Sequence, residues 1–523
     1  MIAATVIFIY LAAVLYIGIF AFRKGRQTGE DFFLASRSIG SIVFFLSLFA
    51  TNMTAFAILG SSGQAYKQGI GVYGLMASSS GIVIPLTLFF IGTRLWALGK
   101  RFGHMTQVQF FRDRWECSAI GTAIFALTSA MLLPYLIISV IGGGTILEAL
   151  TNGRIPYWLG GAIVALVVMG NVFFGGMRGA VLVNVMQTLL FLSFGLVAFL
   201  IIGANIDGGF VQAIRKIASN PRTQFLLDRE RIAPAVFLSY MFIPLSSIMF
   251  PHMSIMCLTA KRVSAFRKTV VLYPLFIMAI WLPCVFLGAI GAGILPNLQQ
   301  PDQVLLRMLD LHAGPVLAGI LGAGIISAVM GSDCHQILAL STMFTKDVFT
   351  YYGGRDRFGE RGTVLVGRIF IVVINTVAYL IALAKPSIFD LAVQYAFSGF
   401  AALAPLMIAA LFWKRSTKYG ALAATLWVAA CIVAQALLEN HYTAGSRIWQ
   451  AGDVPLLAIS KVGKLTAWNC MPVVPMILGS ALAVVLGSLL TAAPSKATIT
   501  RYFPGATAGE PVTAGVRKRS FAE

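Results

Sequence analysis

The 523-residue chain is short of charge. Asp, Glu, Lys and Arg make up 11% of it, where a soluble domain carries about 25%. With 58% hydrophobic residues and a mean hydropathy of +0.85, it cannot build a water-facing surface, so lipid is its main solvent. Length alone suggests several soluble domains; apolar runs separated by short polar gaps imply one membrane body instead. Cysteine is also scarce. The six cysteines (Cys117, Cys257, Cys284, Cys334, Cys431, Cys470) form no CxxC pair and lie in or beside apolar runs, which argues against a thiolate metal site or a disulfide framework. No nucleophile–base pair and no metal-ligand spacing stands out, which argues against an enzyme and against any cofactor. Acid is the scarcer sign, and the net charge is +20. On a soluble protein that excess would raise nucleic acid as a partner; here topology accounts for it.

A spanning helix needs about 20 apolar residues. Thirteen such runs are expected, near 2–22, 40–64, 70–97, 118–149, 156–174, 180–205, 234–260, 270–296, 311–346, 364–384, 388–413, 417–438 and 467–491. The first is followed, not preceded, by Arg23-Lys24-Gly25-Arg26. A cleaved secretory signal has the opposite order, so a retained helix with its N-terminus outside is expected. Loops then placed inside hold 26 Lys/Arg and those placed outside hold 12, the bias of the positive-inside rule. The loop 206–233 opposes it with five basic residues. No span is followed by a soluble domain, and the polar tail 493–523 is expected to be disordered in the cytoplasm.

Two spans are poor continuous helices. One holds Ser47-Leu48-Phe49-Ala50-Thr51-Asn52-Met53-Thr54-Ala55 and then Gly60-Ser61-Ser62-Gly63. The other holds Pro244-Leu245-Ser246-Ser247 and then Phe250-Pro251-His252. Proline removes a backbone donor and clashes with the preceding turn. Inverted-repeat transporters use such interrupted helices at mid-membrane, where freed carbonyls bind cations and helix N-termini attract anions. Each interrupted span opens a set of five, which predicts a five-plus-five repeat; the alternative is a proline kink with small-residue packing. A third segment, Ser327–Gln336, places Asp333 and His335 at the middle of the 311–346 span. A carboxylate there costs about 2.5–3.5 kcal/mol, so Asp333 should face water, an ion or a partner such as His335. Glu148 and Asp390 lie near expected outer ends, within reach of water.

These stretches resemble the sodium:solute symporter family over nearly the whole chain. The resemblance rests on Asp31-Phe32-Phe33-Leu34-Ala35-Ser36-Arg37-Ser38-Ile39-Gly40, on Gly175-Gly176-Met177-Arg178 with Gln187, and on Ala328–Gln336 with Thr345-Lys346-Asp347. Ser398-Gly399 with Pro405 and Trp413-Lys414-Arg415 completes it. It implies an all-α, leucine-transporter-like inverted repeat with one helix before the core and two after. The implied divisions are 1–39, 40–205, 206–233, 234–413, 414–492 and 493–523. It also implies a sodium site from the carbonyls of Ala50, Met53 and Ala328 with side chains at 331 and 332. Ser332 keeps its hydroxyl, whereas Gly331 stands where the family usually has Ser, and Asn184 where many members have Asp. Both departures remove oxygen or charge, so Asp333, His335 and Asn184 become coupling candidates and proton coupling stays open beside sodium.

Pro251-His252 and Gly142-Gly143-Gly144-Thr145-Ile146-Leu147-Glu148 are similar to the carboxylate- and pantothenate-transporting branches. An imidazole at a helix break can donate to a carboxylate, and the helix N-terminus adds partial positive charge. Tyr135 aligns with a tyrosine near substrate in the proline branch, and Phe56 and Ala57 stand where the sugar branch is polar. The expected substrate residues are Asn52, Thr54, Phe56, Tyr135, Ser247 and His252. The expected protein is a multi-pass symporter of a small organic solute in a bacterial inner membrane. The alternatives are a carrier of another solute, such as an amino acid, and a transporter-like sensor.

Overall fold

In the computed structural model, residues 2–24, 28–228, 231–384, 391–451, 454–460 and 463–503 are described. Among them are nine helices long and apolar enough to cross a membrane. Two further pairs are bent at a short break: Ser41–Asn52 with Phe56–Gln68, by 60°, and Pro234–Met249 with Pro251–Thr259, by 51°. A shorter apolar helix, Val473–Leu489, follows. Asp390, and the tail beyond 503, lie outside the described residues.

The helix Val316–Phe349 is the most enclosed of the long ones. Around it, outer helices turn apolar side chains outward: Leu365, Ile369 and Leu380 on one, Leu426 and Leu437 on another, are all exposed. That pattern suits lipid, where apolar surface carries no penalty. Close approach to the centre depends on the Gly142–Gly144 run. A Cβ on Gly142 would lie 2.8 Å from Ala55 Cβ, and one on Gly143 2.7 Å from Val164. Small residues let helix backbones meet in this way.

The 49-residue helix Tyr157–Asn205 is interrupted at Gly176, where φ is 52° and ψ −147°. Only glycine takes that conformation without strain, and the Phe32 carbonyl and ring leave no room for a side chain. Just past this corner Arg178 forks onto buried Asp31, with Nε 2.8 and 3.0 Å from its two oxygens and Nη2 2.6 Å from Oδ1. Ser36 adds a 2.6 Å hydrogen bond to the same carboxylate. The motif at 31–40 and the motif at 175–178 are thus two halves of one ion-paired corner.

The start of the first broken helix meets the end of the second in a short parallel bridge between Ile39 and Ala260. The Ile39 N–H donates to the Thr259 carbonyl (3.3 Å), and the Lys261 N–H to the Ile39 carbonyl (3.0 Å). To the all-α expectation the structure adds a small antiparallel sheet of Arg447–Ala451, Val454–Ile459 and Leu465–Ala467. Strands of three to six residues leave little periodicity to read. To the expectation of a disordered tail it adds the helix Lys496–Tyr502, capped by the Ser495 hydroxyl accepting from the Thr498 N–H.

Candidate functional site

At the first break, Met53 takes extended angles (φ −87°, ψ 121°), and its N–H is shared between the carbonyls of Phe49 and Ala50. The extended residue turns its own carbonyl off the helix axis. Asn52 donates to the Tyr273 hydroxyl at 2.5 Å. Thr54 accepts from the Phe56 N–H at 3.2 Å.

At the second break, Phe250 has ψ 122° and Pro251 opens the next helix, where its missing donor costs nothing. The freed Met249 carbonyl is taken by Gln107 Nε2 at 3.0 Å, and Gln107 Oε1 in turn accepts from Ser254 at 3.1 Å. His252 lies just past the break with 1% of its surface exposed, and neither ring nitrogen has a hydrogen-bond partner. Its ring stacks on Phe250 (5.1 Å between centroids) and leans on Tyr135 (5.7 Å). Phe397 closes edge-on against Tyr135 and against Phe56 from the first break (5.2 and 5.1 Å). Four spans therefore meet in one aromatic cluster containing Phe56, Tyr135 and His252. Ser247 instead bonds Thr87, at 3.0 Å, on a neighbouring helix.

The enclosed helix Gly314–Met343 passes the first break. Gly331 faces it: a Cβ there would lie 3.1 Å from Gln187 Oε1 and 3.6 Å from the Ala50 carbonyl oxygen. The Ser332 hydroxyl is buried without a partner, and so are both carboxylate oxygens of Asp333. His335 is not paired with Asp333. Its Nδ1 meets Asn184 Nδ2 at 3.0 Å, and that amide also donates to the Ser47 carbonyl (3.2 Å) and to Thr51 Oγ1 (3.0 Å). Asn184, on the helix Tyr157–Asn205, thereby ties the first broken helix to the enclosed one. Ala328 lies one turn before Ser332 on the enclosed helix.

Sequence reading passed over Gln187 as a site residue, and Phe250 and Phe397 as walls. Gln187 stands three residues after Asn184, on the same helix face, which is the one signal that would have marked it.

Buried polar groups in proteins are nearly always hydrogen-bonded. Here unpartnered ones gather between two interrupted helices at the centre of an apolar bundle, the arrangement of a secondary transporter. The chain belongs to the sodium:solute symporter family, whose model matches residues 32–427. It is a sodium-coupled symporter of a small solute. It is 26% identical over 428 residues to the sodium/pantothenate symporter of Escherichia coli, covering 80% of this chain and 87% of that protein. It is 25% identical over 506 residues to the osmoregulated proline transporter OpuE of Bacillus subtilis, covering 94% and 95%. Its fold is shared with the substrate-bound, outward-open structure of a Na+-coupled sialic acid symporter, at a TM-score of 0.73 and 16% identity over 95% and 99% of the two chains.

Proposed function

We propose that the solute is a small carboxylate, of monocarboxylate or pantothenate-like chemistry, bound between the two breaks. The observation that carries this is His252. A buried imidazole with two unpartnered nitrogens, set at a helix N-terminus, is a donor awaiting an anionic oxygen. Tyr135 and Thr54 supply hydroxyls next to it, Phe56 an apolar wall, and Asn52 and Ser247 polar flanks. Similarity to pantothenate symporters supports the same chemistry.

On this reading sodium binds where the first break meets the enclosed helix, through the carbonyls of Ala50, Met53 and Ala328 and the Ser332 hydroxyl, with Gly331 bringing no side-chain oxygen. Asp333, His335 and Asn184 couple that site to the rest of the core. An ion held here stabilises the form that accepts solute, and rocking of one helix set against the other releases both. Each charge moved inward gains about 2.3 kcal/mol per 100 mV.

The proposed topology has thirteen crossings, with Tyr157–Asn205 crossing twice about Gly176 and each bent pair crossing once. The two sets are 40–205 and 234–413, with one crossing before and two after. The N-terminus lies outside and the C-terminus in the cytoplasm of an inner membrane.

The test is uptake of labelled pantothenate and of labelled pyruvate into proteoliposomes. Stimulation by an inward sodium gradient, with competition by acetate or pantothenate and none by glucose, is expected. Competition by proline without competition by carboxylates would overturn the substrate assignment.

A further inference from the structure

The sodium site as proposed is short of ligands. A sodium ion in a dry site needs several oxygens to replace its water shell, and Gly331, which faces the Ala50 carbonyl, contributes no side-chain oxygen. The space beside Gly331 is not empty of oxygen, however. Gln187 Oε1 points into it, 3.1 Å from where a Cβ on Gly331 would stand. Gln187 is fully buried, and this oxygen has no hydrogen-bond partner. Its orientation is set by the other end of the amide, since Nε2 donates to the Tyr10 hydroxyl at 2.7 Å. Leaving an amide oxygen bare in a dry interior is unfavourable, and a bound cation would offset that.

We propose that Gln187 Oε1 is a sodium ligand in this chain, occupying the place left by the side chain that Gly331 lacks. The inference rests on the sodium site proposed above. The two positions share one space: a Cβ at 331 would come within 3.1 Å of this oxygen, so a side chain there presses on the amide. Tyr10, on the first helix and outside both five-helix sets, is a positioning residue that holds the oxygen inward. An amide oxygen carries a stronger dipole than a hydroxyl and no proton, so the site keeps its cation preference without a buried charge.

The experiment titrates sodium, against choline, into the purified full-length protein and reads the rise in thermal stability that ligand binding produces. It needs no solute. In Gln187→Leu the half-saturating sodium concentration is expected to rise at least about tenfold, equivalent to about 1.4 kcal/mol. Adding Gly331→Ser to Gln187→Leu is expected to recover at least about threefold of that, whereas Gly331→Ser alone is expected to weaken binding because of the contact with Gln187. Tyr10→Phe removes the same hydrogen bond but keeps the oxygen, and is expected to shift binding less than Gln187→Leu does. Gln187→Glu, which keeps shape and an oxygen, is expected to bind sodium at least as well as the parent and covers the case in which Gln187→Leu does not fold. Unchanged sodium binding in Gln187→Leu, no recovery by Gly331→Ser, or a loss of binding in Gln187→Glu as large as that expected of Gln187→Leu would overturn the assignment. A parent protein that sodium does not stabilise would instead sink the sodium-site reading on which it stands.

Discussion

Asp333 and Asp347 lie on one helical run, Val316–Phe349, 14 residues or about 21 Å apart along its axis. Both are essentially fully buried. Their surroundings are opposite. Asp347 accepts from Thr106 Oγ1 with both oxygens, at 3.0 and 2.8 Å, and Arg112 bonds its backbone carbonyl at 3.2 Å while stacking on the Tyr351 ring. Asp333 has no hydrogen-bond partner at either oxygen. A buried acid with its hydrogen bonds made is architecture; removing it leaves a buried polar partner unsatisfied. A buried acid without partners adds nothing to the resting fold, and its presence at the helix centre points to work done with something that comes and goes. The same contrast separates Gln107, which stitches the second break, from Gln187, whose oxygen is bare.

The largest expected effect breaks the architecture. Asp347→Ala is expected to lower stability by about 1–3 kcal/mol, because it leaves the buried Thr106 hydroxyl without its acceptor, read as a fall in the midpoint of thermal unfolding in detergent. Asp333→Asn should leave that midpoint unchanged or raise it, yet cut sodium-driven uptake at least about tenfold. Equal destabilisation by the two changes would erase the distinction between them.

Next in size, His252→Leu is expected to raise the half-saturating carboxylate concentration about tenfold, about 1.4 kcal/mol, with sodium binding to the solute-free protein unaltered. A shift in sodium binding as large as the shift in solute binding would place His252 on the ion side of the site instead.

The smallest effect belongs to another part of the molecule, where the helix Lys496–Tyr502 docks on the segment 103–117, which holds the short helix Gln107–Arg114. Asp113 there accepts from Arg501 at 3.0 and 2.8 Å and from the Tyr502 hydroxyl at 2.7 Å, and lies 3.0 Å from His104 Nε2. Burial pushes the Asp113 carboxyl up, but the bonds from Tyr502 and His104 and the Arg501 charge outweigh it and hold the group below its ordinary 3.8. Burial holds His104 below its ordinary 6.5 in spite of Asp113. Both shifts favour docking at neutral pH. The His104 contribution is lost as pH falls from 6.5 through its lowered value, and that of Asp113 as pH falls from 3.8 through its own. Arg501→Ala is expected to cost only about 0.2–1 kcal/mol, because the pair is partly exposed. Faster hydrogen exchange over 495–503, more so in acid and in high salt, is the readout.

Much of the fold was legible in the sequence because its signals are local. Pro251 and the hydroxyl-rich stretch at 47–54 mark the two breaks without any knowledge of their neighbours. Asp333 stands out for its cost alone. What was not legible depends on distant partners. Gln187 reads as one more polar residue until Tyr10, 177 positions away, fixes which end of its amide faces Gly331. The rings of Phe250 and Phe397 look like any apolar residues until they close on Tyr135. Asp333 and His335 look like a pair at i and i+2, but residues two apart on a helix do not face each other, and His335 turns to Asn184 instead.

The central claim, that the bare oxygens between the first break and the enclosed helix hold the coupling ion, is tested most directly by binding of radiolabelled sodium to the purified protein and to its Ser332→Ala variant. Saturable binding by the parent, weakened at least about tenfold in the variant while its thermal unfolding is unchanged without sodium, is the predicted result. Equal binding by the two proteins would contradict it.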